Sequence, residues 1–382
     1  MPRVTVLMPV RNGERYLAPA IESITRQSLQ DFEFVIVDDG STDATPSILD
    51  QTSRHDSRIR ILTLGSVGIA GALEAGRAVA CAPYIARMDC DDLALPHRLA
   101  AQADYLDRHP AVVAVGGQVR VVDENGAALA RGRFPVQAAA CRAYLHYGAP
   151  FCHPSVMMRA EALQQAGGYR ALFEPAEDLD LWLRLSTVGD LANLDQEILH
   201  YRRHSAGVTN RRAAANARAA CLARLAHVHG EHVLASGCTA LHAVDSDWPA
   251  IEESLPRHLR LAVRASYLRA LALNGGIAEP KAWSSFIGSI PEIARDSPGA
   301  RPSDELAFTI VRAAYQMARS AQPAKALLSL WLGLRHAPVA TCREAVRSLR
   351  ARLAADHVSR NGKSVGLGPI DAPEALDLEE LR

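Results

Sequence analysis

The first ninety residues alternate between short apolar runs and amphipathic stretches. Arg3-Val-Thr-Val-Leu-Met8, Phe32-Glu-Phe-Val-Ile-Val37, Arg58-Ile-Arg-Ile-Leu-Thr63 and Pro83-Tyr-Ile-Ala-Arg-Met88 have the length and β-branched content of strands buried on both faces. Between them, Leu17, Ile21 and Ile24 place a helical stripe within Glu14 to Gln27. Ala44 to Gln51 and Ala70 to Val79 read as two further helices, the first capped by the polar segment Asp38-Asp-Gly-Ser-Thr-Asp43. Apolar strands in strict alternation with helices predict a parallel, doubly wound α/β sheet. A fourth helix is expected over Leu95 to His109, where Pro96 is tolerated near the start.

In an open sheet of this kind, ligands bind beyond the carboxyl ends of the strands. Three polar segments fall there: Pro9-Val-Arg-Asn-Gly13, Asp38-Asp39 and Asp89-Cys-Asp-Asp92. Three carboxylates at the end of a buried strand repel one another and are costly to desolvate. A hard divalent cation such as Mg²⁺ or Mn²⁺ would reverse that cost, because it prefers carboxylate and phosphate oxygens. The competing reading is a solvated acidic turn that caps the following helix. Two acidic clusters converging on one rim, without basic neighbours, favour the cation.

Further along, Ala111-Val-Val-Ala-Val-Gly-Gly117 and Gln118-Val-Arg-Val-Val-Asp123 are apolar, and Asp123-Glu-Asn-Gly126 signals a β-hairpin. Pro135 to Tyr147 is expected to be helical, and Phe151 to Arg159 a strand entered from a polar loop. Gly167-Gly168 turns the chain into Glu177-Asp-Leu-Asp-Leu-Trp-Leu-Arg-Leu185, a helix whose first turn carries carboxylates where the dipole favours them.

Three motifs in register, Val4-Thr-Val-Leu-Met-Pro-Val-Arg-Asn12, Phe34-Val-Ile-Val-Asp-Asp-Gly-Ser-Thr-Asp43 and Ala86-Arg-Met-Asp-Cys-Asp-Asp92, resemble the start of a family 2 glycosyltransferase of the GT-A fold. The resemblance covers the first hundred residues closely and extends more loosely to about residue 210. It implies an inverting transferase that uses a nucleotide-activated sugar, with uracil as the base, and Mn²⁺ or Mg²⁺. By the same resemblance Pro9, Val10 and Arg11 would pack against base and ribose. Asp39, with Asp38 beside it, would accept a hydrogen bond from the uracil imide. Asp91 would ligate the metal, Asp89 would face the ribose or a metal-bound water, Asp92 would cap the next helix, and Cys90 would be an apolar filler. His153 would lie near the diphosphate or acceptor, with a structurally hydrogen-bonded histidine as the alternative. Glu177-Asp178 resembles the catalytic-base motif, so Asp178 would take the acceptor proton, Glu177 would orient the acceptor, and Asp180 is a lesser candidate. His204 resembles a loop histidine that approaches the diphosphate or metal, and Arg202 and Arg203 would neutralise phosphate.

Beyond Arg211, alanine and arginine dominate and strand signals end. Leu259, Val263, Tyr267 and Leu271, then Leu306, Ile310, Ala314 and Met317, then Ala326, Leu327, Leu330, Trp331 and Leu334, form helical stripes. We therefore expect a catalytic domain over residues 1–210, an all-helical domain over 211–370 and an acidic tail over 371–382. Arg211, Arg212, Arg218 and Arg224, and Arg343, Arg347 and Arg350, make basic faces that suit solvent or an anionic lipid surface.

Bulk properties narrow the classes. Lys plus Arg equals Asp plus Glu at 42 each, so no global field points to nucleic acid. Seven cysteines without a CxxC pair suit a reducing compartment, and no apolar run reaches the ~20 residues of a bilayer span. The expectation is a cytoplasmic protein with peripheral contact to the inner face of a membrane, acting on a glycan or lipid-linked acceptor. The rivals are a metal-dependent nucleotidyltransferase, for which Pro9-Val-Arg-Asn-Gly13 is a poor phosphate loop, and a non-catalytic nucleotide-sugar-binding scaffold.

Overall fold

A computed structural model describes residues 1–145, 148–204, 213–230 and Ser329. The chain divides into two compact units, one built on Met1–Ser205 and the other on Ala206–His357. In the second unit, helix α8 spans Ala213–His229, with Leu222, Ala223 and Ala226 buried. The three helical stripes expected beyond it, the second basic face and the acidic tail lie outside the described residues.

The first unit opens with the expected alternation. Strands β1 (Val4–Val10), β2 (Phe32–Asp38), β3 (Ile59–Thr63) and β4 (Tyr84–Arg87) are separated by helices α1 (Leu17–Thr25), α2 (Thr45–His55) and α3 (Ile69–Val79). They pair in parallel in the spatial order β3-β2-β1-β4. Side-chain alternation divides β1 cleanly: Val4, Val6, Met8 and Val10 join the main core with Ile21, Ile24 and Leu49 of α1 and α2. Leu7 faces the other way, under α3. A methyl group added at Gly76 would sit 2.1 Å from Leu7 Cδ1, so glycine is what lets α3 lie this close to the sheet.

β1 runs two residues further than the apolar run suggests and takes in Pro9, which has no N–H to give. Leu7 O accepts from Met88 N, which puts Pro9, two residues on, on the β4 side of the strand. β4 ends at Arg87, opposite Leu7, so no ladder partner awaits the missing N–H.

The second half of the sheet is mixed. Strand β5 (Leu93–Ala94) and helix α4 (Arg98–Arg108) follow the acidic turn, then β6 (Val112–Val122) and β7 (Ala128–Gly132) form the expected hairpin. Helix α5 (Ala138–Tyr144), strand β8 (Met157–Arg159), helix α6 (Ala160–Gln165), helix α7 (Glu177–Val188) and strand β9 (Asp190–Arg202) complete the unit. The sheet continues β4-β8-β6-β9-β5, with β8 antiparallel to both neighbours and β9 parallel to β6. β9 is the long element that the hydrophobic pattern does not announce. Asp195, Gln196 and Glu197 interrupt its alternation, and the structure answers with register shifts against Gly117 and Gln118. Gly116 and Gly117 accommodate that irregularity, since a Cβ there would collide with Asn193 and Ile198.

Candidate functional site

The carboxyl ends of β1, β2 and β4 form one rim. At the first, the chain leaves β1 through Arg11, which is exposed, and Asn12, which adopts φ +54°. Asparagine tolerates that left-handed conformation better than most side chains. Asn12 Oδ1 accepts from Thr42 N at 2.8 Å, and Asn12 N donates to Ser41 Oγ at 2.9 Å. Gly13 N donates to Thr45 Oγ1, and Ala44 N to Glu14 Oε2. The loops after β1 and β2 are thus stitched together by side chains the sequence reading passed over. Pro9 and Val10 are buried in β1 itself, whereas Arg11 stands out toward solvent.

Asp38 ends β2, Asp39 follows it, and both are buried. Asp38 Oδ1 accepts from Ser41 N at 3.0 Å. The two oxygens of Asp39 accept from Val67 N and Gly68 N, in the loop that leads into α3. That fixes the carboxylate plane while each oxygen keeps a lone pair.

Asp89, Asp91 and Asp92 follow β4, and one oxygen from each lies within 4.8 Å of the others. Their surroundings differ. Asp89 Oδ1 pairs with Arg87 Nη2 at 2.6 Å. Burial still pushes its carboxyl up from the ordinary range, Arg87 opposes this, and Asp91 and Asp178 add to it. Asp91 Oδ2 meets His204 Nε2 at 2.9 Å. Asp92 is almost wholly buried: Oδ1 accepts from Arg202 N at 2.7 Å, while Oδ2 has no partner. Its carboxyl is driven well above the usual range by burial first and by Asp91 and Asp89 next.

Asp92 is therefore not the cap of the following helix. β5 intervenes, α4 begins only at Arg98, and the carboxylate instead ties the acidic turn to the end of β9. Arg202 is likewise not a free cation for phosphate. Its Nε donates to Asp91 O, its Nη1 to Asp123 O and Glu124 O, and its guanidinium lies 4.7 Å from the Tyr16 ring centroid. Arg203 remains exposed. Beneath the turn, Arg98 is fully buried and donates to Arg87 O and to Gln102 Oε1. Burial pulls its pKa down to about 10, against the charge of Asp92.

Three carboxylates with an orphaned buried oxygen, above two buried guanidinium groups, are an expensive arrangement by themselves. The donor set, carboxylate oxygens joined by one imidazole, fits a hard divalent cation. Asp89, Asp91 and His204 remain the candidate ligands.

The third part of the site comes from α7. Glu177 and Asp178 open the helix, after a cis peptide between Glu174 and Pro175. Asp178 Oδ1 accepts from Leu179 N at 2.7 Å. Burial raises its pKa, while that N–H and Arg87 pull it back. Glu177 is buried, its Oε2 has no partner, and burial together with Asp178 pushes its pKa up to about 8. Asp180, two residues on, differs: Arg170 Nε donates to Oδ2 at 3.0 Å and Arg184 Nη2 to the same oxygen at 2.6 Å. Held between two arginines, Asp180 is a structural tie and not a candidate base. His153 Nε2 lies 2.9 Å from Tyr169 Oη, and its ring packs edge-on to Trp182. Burial first, then Arg87, holds its pKa well below the usual value, so the ring is neutral.

The titration of Glu177 has a consequence for stability. The fold prefers its protonated form, so this group's contribution is complete below an ordinary 4.5 and is lost as pH rises through about 8. Glu177→Gln should therefore be more stable than the parent at pH 9, by on the order of 3 kcal/mol. The gain should shrink to under about 1 kcal/mol at pH 5. Urea denaturation at the two pH values measures it, and equal differences at both would exclude a buried, protonated Glu177.

The comparisons with known proteins speak to family and fold. The model of the family "Glycosyl transferase family 2" matches residues 5–167. EpsE of Bacillus subtilis (strain 168) is 37% identical over 216 residues, 56% of this chain and 77% of EpsE. The O-antigen biosynthesis glycosyltransferase WbnJ of Escherichia coli is 31% identical over 206 residues, 53% of this chain and 80% of WbnJ. Among solved structures, S. aureus TarS 1-349 in complex with UDP-GlcNAc has a TM-score of 0.51 at 17% identity, covering 95% of this chain and 93% of that one.

Proposed function

The chain belongs to glycosyltransferase family 2, and from that premise we propose that it moves a sugar from a UDP-sugar to a glycan or lipid-linked hydroxyl, with inversion. One observation carries the mechanism. The charge of Asp178, some ninety residues from the acidic turn in sequence, acts on Asp89. A base and a donor-binding cluster face a single reaction centre in this reading.

In this reading, Asp39 receives the uracil imide and Arg11 flanks the nucleotide. Asp89, Asp91 and His204 would hold Mn²⁺ or Mg²⁺, which when bound would supply positive charge for a nucleoside diphosphate leaving group. Asp178 takes the proton of the acceptor hydroxyl as its oxygen attacks the anomeric carbon, and the bond from that carbon to the diphosphate breaks on the opposite face. An α-linked donor then yields a β-linked product. Glu177, neutral at physiological pH, is able to donate a hydrogen bond to the acceptor. Neutral His153, on Tyr169, borders the same space.

UDP is supported by the placement of Asp39 and by the UDP-GlcNAc bound to TarS. A polysaccharide acceptor is supported by the O-antigen role in WbnJ's name. Among the described residues no helix is long and apolar enough to cross a membrane; we propose work at the inner membrane face, where lipid-linked acceptors are found. The segment beyond residue 210, which its sequence pattern predicts to be helical, would serve docking.

The test is sugar transfer by the purified protein across a panel of nucleotide-sugars with Mn²⁺ or Mg²⁺. A UDP-sugar is expected to raise the melting temperature only when the cation is present. Asp91→Ala should abolish that cation-dependent shift. An undiminished shift in Asp91→Ala, or in EDTA, would remove the metal from the donor site.

A further inference from the structure

His204 lies two residues past the end of β9, beyond the strand ladder, yet its side chain is only 13% exposed. One nitrogen, Nε2, is 2.9 Å from Asp91 Oδ2. The ring itself rests on Tyr16, with centroids 5.3 Å apart and planes tilted by 45°. Tyr16 comes from the other end of the unit, the residue just before α1. Its N–H donates to Gly13 O and its carbonyl accepts from Ala20 N, so the turn and the helix fix its backbone. The ring is fixed as well. The Arg202 guanidinium lies 4.7 Å from its centroid and that of Arg15 4.9 Å. Arg202 is held in turn by Asp91 O, Asp123 O and Glu124 O, and Arg15 pairs with Glu124 Oε2 at 3.0 Å. Tyr16 Oη is buried and has no hydrogen-bond partner among the described residues. What Tyr16 contributes here is its ring, not its hydroxyl.

We propose that Tyr16 is a positioning residue for the cation site: its ring, held under Arg202, fixes the His204 imidazole at the distance and tilt that face it to Asp91. The inference rests on the reading of His204 and Asp91 as ligands and adds a residue that touches neither the cation nor the donor. A histidine beyond a strand end loses side-chain freedom when it becomes a ligand, and a ring already packed in place has less of that freedom left to lose. Ring packing uses neither imidazole nitrogen as a hydrogen-bonding group. It therefore persists whether Nε2 faces Asp91 alone or shares a cation with it. The loop that carries Arg11 thus also supports the cation site, through a side chain four residues past Asn12.

The experiment is a titration of Mn²⁺ in the presence of saturating UDP at one fixed pH, followed by the loss of the free-ion electron paramagnetic resonance signal. The proteins are the parent, Tyr16→Leu, Tyr16→Met, Tyr16→Phe, His204→Ala and the double variant of His204→Ala with Tyr16→Leu. Loss of the ring in Tyr16→Leu and Tyr16→Met should weaken Mn²⁺ binding by about three- to ten-fold, the range a buried ring contact supplies. Tyr16→Phe keeps the ring and should keep the parent's affinity. In the double variant the losses should not multiply, because Tyr16 acts through His204. A general structural defect would instead carry over undiminished into the His204→Ala background. Parent affinity in the aliphatic variants, losses that multiply, or failure of both aliphatic variants to fold by far-UV circular dichroism would each overturn the inference. If His204→Ala itself keeps the parent's affinity, the ligand reading of His204 fails first, which separates the two failures.

Discussion

Asp178→Asn is expected to lower kcat for sugar transfer by roughly 10²- to 10⁴-fold, the range in which a positioned general base contributes. Donor binding should be unaffected, because the carboxylate's hydrogen bond runs to its own helix, through Leu179 N, and not to the nucleotide rim. Cation-dependent stabilisation by a UDP-sugar should match the parent, so that the loss appears in kcat and not in donor affinity. Turnover close to the parent with donor binding intact would take the base away from Asp178. Asparagine is nearly isosteric and remains able to accept from Leu179 N, which keeps the start of α7 in place.

Two residues further on, Asp180→Ala should act on stability, with a loss of roughly 3–5 kcal/mol. Asp180 is buried and receives Arg170 and Arg184 together. Removing it takes away the buried carboxylate on which both guanidinium groups converge, and the cost of that exceeds the modest net worth of the intact pairs. Arg184 also donates to Gly168 O, so the Gly167–Gly168 turn should loosen with it. Urea denaturation of the parent and variant measures the loss. A change below about 1 kcal/mol would mean that the triad behaves as a solvated surface pair. Asp178 and Asp180 lie on the same helix with different partners, and they are expected to fail in different ways.

Much of this was legible in the chain before folding. The alternation of apolar runs and helical stripes in residues 3–88 dictated the parallel half of the sheet, because β-branched runs buried on both faces have few alternatives. The same alternation placed Asp39 and the Asp89–Asp92 turn beyond strand ends, where ligands collect. The register of three motifs then identified the family. β9 was hidden because its polar centre breaks the period of two, and the pairing with β6 that rescues it joins residues some eighty positions apart.

What the tertiary structure alone decided is the division of labour among acidic residues that look alike in sequence. Asp92 became the tie to Arg202, and Asp180 the tie between Arg170 and Arg184. Arg202 became a buried strut, and Arg87 the ion-pair partner of Asp89. The physical reason is that a carboxylate's role follows from its desolvation and its nearest charge, both set by contacts between distant segments. Periodicity places a side chain at a rim or on a face; only packing decides which oxygen is left without a partner.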